Sequence, residues 1–74
     1  MHMALHNRLK EIRNQKGLTQ EALARVVGVT RQTIIAVEQG RYVPSVKLAL
    51  ELSAALETPL EQVFWLGNFE GEKS

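Results

Sequence analysis

The chain has 74 residues, no cysteine, 45% hydrophobic and 23% charged residues, and a formal net charge of +1. These values fit one small soluble domain. They exclude a disulfide framework and a thiolate metal site, and the lack of any run near 18 apolar residues excludes a membrane-spanning helix. The balance conceals an asymmetry. Residues 1–50 carry eight lysines and arginines against three glutamates, net +5, and residues 51–74 carry one lysine against five glutamates, net −4. Such a dipolar chain suggests a basic face for a polyanion and an acidic side turned away from it. The start lacks the basic-then-apolar run of a secretion signal, which predicts a cytoplasmic location. At this length no effector-sensing domain is expected beside the first. Met3 is as good an initiator as Met1, and no function is placed on Met1-His2-Met3.

The punctuation predicts five short helices and no strand, an all-α chain. Gly17, Gly28, Gly40 and Gly67 follow apolar-periodic runs, where helices stop in a left-handed residue. Thr19, Thr30, Ser45 and Thr58 each open the next run as N-cap hydroxyls. Helix 1 is expected from about His6 to Lys16, with Leu5, Leu9 and Ile12 on one face. Helix 2 is expected over Gln20 to Val27, with Leu23, Ala24 and Val27 inward. Helix 3 runs from Arg31 to about Gln39. Residues Gly40 to Pro44 form the longest interior loop. Helix 4 is expected over Val46 to Leu56, with Leu48, Ala49, Leu52 and Leu56 as its core stripe. Thr58-Pro59-Leu60-Glu61 reads as a capping box with proline at the first helical position. It would open a helix 5 that carries Leu60, Val63 and Phe64 and ends near Leu66. The folded domain is expected over residues 5–66, with residues 67–74 as a polar, frayed tail.

The informative stretch is Gln20 to Gln39. Two helices of about eight residues joined by Gly28-Val29 must cross steeply. Ala24 is small where helix 3 passes, Gly28 supplies the positive φ of the turn, and Val29 buries it. These offsets read as a helix-turn-helix, against the blander alternative of an ordinary helical hairpin. At about 100° per residue, with Arg31 at zero, Ile34 and Val37 fall near 300° and 240° and seat helix 3 on the core. Arg31, Gln32, Ile35, Ala36 and Gln39 fall on the other side. Arginine suits a bidentate pair to guanine and glutamine to adenine, and Ile35 and Ala36 suit thymine methyl groups. The plainer alternative for Ile35 is a single exposed aliphatic side chain.

On these residues, with Thr30-Arg31-Gln32-Thr33-Ile34, Glu38, Gly40, Tyr42 and Pro44-Ser45, the chain resembles a short single-domain subgroup of the Cro/phage-repressor (Xre-like) helix-turn-helix family. The resemblance spans about Asn7 to Leu66. It implies a compact five-helix, lambda-repressor-like DNA-binding domain with helix 3 in the major groove and helix 2 across the backbone above it. It also implies that Gln20 approaches the phosphate backbone and braces the start of helix 3, and that Arg13 and Glu38 pair to bridge helices 1 and 3. The expected base readers are therefore Arg31, Gln32, Ile35 and Ala36. The expected backbone contacts are Gln20, Thr30, Thr33, Gln39, Arg41 and Lys47, aided by the amides at the N-termini of helices 2 and 4.

The expected function is a sequence-specific transcriptional regulator of double-stranded DNA that binds a palindromic operator as a homodimer. Leu60, Val63, Phe64, Trp65 and Leu66 present more apolar surface than one side of so short a helix buries. Leu60, Val63, Trp65 and Leu66 are therefore expected at the dimer seam, and stacking of Trp65 on a base is disfavoured by its acidic surroundings. The rival from another class is an antitoxin or adaptor that uses the same fold to bind a protein, although the tail after Leu66 is short for a partner-binding extension. An enzyme is not expected, because no nucleophile–base set and no glycine-rich phosphate loop is visible. His2 and His6, four residues apart, are half a metal site at most. Neither metal nor cofactor is expected.

Overall fold

A computed structural model describes residues 3–67 of the chain. Five helices are closed at their two ends by a short antiparallel ribbon. The order is β1 (Ala4–Asn7), α1 (Leu9–Gln15), α2 (Gln20–Val27), α3 (Arg31–Glu38), α4 (Val46–Ala55), α5 (Leu60–Val63) and β2 (Phe64–Gly67). Leu9, Leu23, Ile34, Val37, Leu52, Leu56 and Val63 are fully enclosed between the helices, and Ile12, Ala24, Leu48 and Phe64 complete the core around them.

The helix starts at Thr19, Thr30 and Ser45 follow the capping rule. Each hydroxyl accepts the backbone N–H three residues on: Ala22 at 2.9 Å, Thr33 at 3.2 Å and Leu48 at 3.0 Å. Each such bond satisfies one of the amide donors that a first helical turn leaves over. Gly28, with φ of 76°, turns α2 into α3, and the Val29 N–H closes the turn on the Ala24 carbonyl at 3.0 Å. A side chain at that φ would be strained, which is the reason glycine stands there.

Three expectations are corrected. The all-α reading misses the ribbon: Ala4 pairs with Gly67, Leu5 with Leu66, His6 with Trp65 and Asn7 with Phe64. Gly67 therefore ends a strand rather than a helix. A Cβ on it would lie 3.0 Å from the His6 ring. Helix 1 begins at Leu9, not His6, because β1 occupies the residues before it and the Asn7 Oδ1 accepts the Leu9 N–H at 3.0 Å. Helix 5 is one turn and stops at Val63, because Phe64 turns extended to pair with Asn7. No capping box forms there. The Thr58 hydroxyl donates backward to the Leu56 carbonyl at 2.9 Å. Of the tail expected over residues 67–74, only Gly67 belongs to the described residues.

Among the described residues no helix is long and apolar enough to cross a membrane, and no group of three or more potential ligands could hold a metal ion. His2 lies outside the described residues. His6 is spent on the ribbon, stacked against Trp65 with ring centroids 6.0 Å apart and planes 19° from parallel. The Arg8 guanidinium lies 4.8 Å from the Trp65 ring centroid, a cation–π contact that clamps the same strand pair.

Candidate nucleic-acid interface

Helix α3 is seated by its inner face. Ile34 and Val37 are 0% and 1% exposed, so the helix has no freedom to roll on the core. Its outer face carries Arg31 and Gln32, both exposed and both in the first turn. Neither has a hydrogen-bonding or ionic partner among the described residues. Ile35 and Ala36, expected on the open face, are half-buried, so each offers part of a methyl surface rather than a whole side chain.

Beneath that face lies a closed polar network. The Arg13 Nε donates to Glu38 Oε2 at 2.6 Å, with the two side chains only 7% and 4% exposed. One Arg13 Nη1 donates to the Leu18 carbonyl at 2.8 Å and to Asn14 Oδ1 at 3.2 Å, which pins the α1–α2 loop. Gln20 Nε2 donates to Glu38 Oε1 at 3.1 Å. Here the expected role of Gln20 is corrected: it braces the end of α3 at Glu38, not its start. One of its two amide protons is used there, and the second is left for an acceptor. Asn7 adds a tie that sequence reasoning missed, donating through Nδ2 to the Val37 carbonyl at 3.0 Å. The side-chain amide thus joins β1 to α3 while its oxygen starts α1. No buried side-chain nitrogen or oxygen among the described residues lacks a partner.

The remaining expected contacts are partly engaged. The Thr30 and Thr33 hydroxyls lie 3.1 Å apart. Whichever donates, the other keeps a proton for a phosphate oxygen. Arg41 Nε donates to Gln39 Oε1 at 2.8 Å. The Gln39 Nε2 donors are not used by that bond and suit a phosphate. Lys47 Nζ sits 2.8 Å from Glu51 Oε2, one helical turn away on α4.

The expected dimer residues divide. Val63 is fully buried in its own chain's core, so it belongs to no exposed seam, and this expectation is corrected. The reason is that α5 ends at Val63 and the chain turns into β2 at Phe64. In a single turn Val63 faces the core. Leu60 is partly buried, Trp65 is 36% exposed and Leu66 is 62% exposed. They line an open apolar groove of about 320 Å³ with Leu5, Pro44, Val46 and Ala49, and Glu61 is its one charged lining residue. Leu66 pairs with Leu5 on the ribbon. Val46 and Leu50 of α4 are 75% and 51% exposed. Sequence reasoning missed this α4 contribution. The signal was present in Val46 and Leu50, four apart and off the core stripe.

Comparisons with known proteins match this arrangement. The Helix-turn-helix family HTH_3 matches residues 9–63. An uncharacterized HTH-type transcriptional regulator of Bacillus subtilis, YgzD, is 50% identical over 62 residues, covering 84% of this chain and 94% of that protein. A second uncharacterized HTH-type transcriptional regulator, from Methanocaldococcus jannaschii, is 47% identical over 60 residues, 81% of this chain and 91% of its own. Among solved structures, the restriction-modification controller protein C.AhdI from Aeromonas hydrophila superposes with a TM-score of 0.70 at 38% identity, over 74% of this chain and 80% of that one.

Proposed function

The chain belongs to the helix-turn-helix family of DNA-binding transcriptional regulators, and from that premise we propose that it binds a palindromic operator as a homodimer, with α3 of each copy in the major groove. The observation that carries this reading is the pairing of a locked inner face with an unsatisfied outer one. Ile34 and Val37 fix the helix, while Arg31 and Gln32 are exposed in its first turn with no partner among the described residues. Arg31 supplies the bidentate donors that guanine O6 and N7 accept, and Gln32 the donor–acceptor pair that adenine matches. Ile35 and Ala36 offer partial methyl surfaces to thymine. Gln20, Thr30, Thr33, Gln39, Arg41 and Lys47 meet the phosphates and set the register of the helix in the groove.

The groove between the ribbon and α4 supports pairing with a second copy. A two-fold interface uses one patch on both subunits, so the patch must be self-complementary. Here Leu66, 62% exposed, is one wall of an apolar trough that Leu5, Leu60, Val46 and Trp65 also line. On the groove itself Val46, Trp65 and Leu66 are 75%, 36% and 62% exposed, apolar surface that a second copy can cover. The exposed apolar patch on so small a domain is therefore best covered by its own image.

Selection of bound duplexes from a random pool tests this reading. The expected product is a palindromic consensus whose half-sites lie about one helical turn apart. Enrichment of no sequence, or a non-palindromic site bound by a strict monomer in light scattering, contradicts it.

A further inference from the structure

The two outlying cations of the proposed backbone face are held differently. Arg41 is tied to a neutral amide, Gln39 Oε1, through Nε alone, which leaves its terminal nitrogens available. Lys47 is tied to a carboxylate, Glu51 Oε2, at 2.8 Å. Lys47 itself is 83% exposed as a side chain and Glu51 39%, so nothing in the core requires the pair. It stands on the first two turns of α4, directly after the Ser45 cap. A phosphate approaching that turn meets its outward amides and Lys47, but it also meets the charge of Glu51, and it must draw the ammonium away from a carboxylate that already holds it.

We propose that Glu51 is an affinity-limiting residue, an internal competitor that occupies Lys47 in the unbound protein and lowers affinity for every DNA sequence alike. This rests on the proposed placement of α4 against the backbone. Glu51 touches no base in this scheme. It acts on phosphate contact, so it reduces binding to non-operator DNA and operator DNA by the same factor and leaves base preference to α3. Because the pair is exposed, the effect is modest and falls as salt screens it.

The test is a double-mutant cycle of Glu51→Gln and Lys47→Ala, with affinities measured on the selected operator and on a scrambled duplex over a salt series. Melting curves accompany it, to establish that all variants are folded. Glu51→Gln is expected to tighten binding to both duplexes by a similar factor, about two- to five-fold at low salt, with the gain shrinking as salt rises. In the Lys47→Ala background the gain should fall by at least half, because the competitor has lost its captive. An equal gain with and without Lys47 overturns the proposal, since Glu51 would then act as a bare repulsive charge. Unchanged affinity in Glu51→Gln, together with weakened binding in Lys47→Ala, also overturns it while leaving α4 on the backbone. Unchanged affinity in Lys47→Ala removes the placement of α4, and the proposal with it.

Discussion

The two ends of α3 put the same residue types to different uses. At its last residue, Glu38 is joined to Arg13 and Gln20 by bonds of 2.6 and 3.1 Å, with the ion pair almost wholly shielded from solvent. In its first turn, Arg31 and Gln32 are exposed and have no partner among the described residues. An arginine such as Arg13, with four of its five donors bonded inside the fold, contributes architecture. One whose donors are left over has hydrogen-bonding capacity for a ligand. Composition cannot separate the two. What separates them is burial, set by place along α3: Arg31 is exposed in the first turn, and Glu38, about two turns on, is packed against Arg13 with its side chain 4% exposed. The saturated end also serves the unsaturated one: side chains that must find base edges within a few tenths of an ångström need a helix that does not move.

Four substitutions sharpen that contrast, and the brace should give the largest response. Glu38→Ala leaves Arg13 charged and shielded without its carboxylate, and Arg13→Ala does the converse. Each is expected to cost about 3–5 kcal/mol, which for a domain of this size lowers the melting temperature by more than about 10 °C. Thermal melts check this. A parent-like melt for either variant would mean that the pair carries no structural weight. Gln20→Ala should be intermediate. It removes one donor from Glu38, while Arg13 still holds the carboxylate, so about 1 kcal/mol of stability is lost. It also removes a proposed phosphate contact, so binding should weaken on all sequences alike. Urea unfolding alongside binding to scrambled DNA separates the two contributions. Full stability with unchanged binding would place Gln20 on neither side of the contrast. The smallest effect on stability is expected at Arg31, where nothing inside the fold is lost.

How much of this is legible in the sequence depends on how local each signal is. The helix-turn-helix could be read because its cues sit within about twenty residues: Thr19 and Thr30 as caps, Ala24 and Gly28 at the crossing, Ile34 and Val37 at seat positions. The structure has each of these in its expected place. The ribbon could not be read that way. Its strands, Ala4–Asn7 and Phe64–Gly67, lie at opposite ends of the domain with no turn between them to announce a hairpin. Each is four residues long, too short for alternation to stand out, and Leu5 also fits a helical stripe with Leu9. One unseen pairing then produced linked errors. Without it, periodicity starts helix 1 before Leu9, runs helix 5 past Val63 and sets Val63 at a seam, where the structure buries it fully. The partner of Gln20 was missed for another reason. The resemblance implies a brace at the start of α3, whereas the amide of Gln20 meets Glu38, the last residue of that helix.

The central claim is that this fold reads DNA with the side chains its own packing leaves unsatisfied. It is tested most directly by Arg31→Ala, compared with the parent on the selected operator and on scrambled DNA over a salt series. The expected result is a loss of about 1–3 kcal/mol on the operator, relaxed preference at one base pair in each half-site, and an unchanged melting temperature. An equal loss on both duplexes with base preference intact would contradict it.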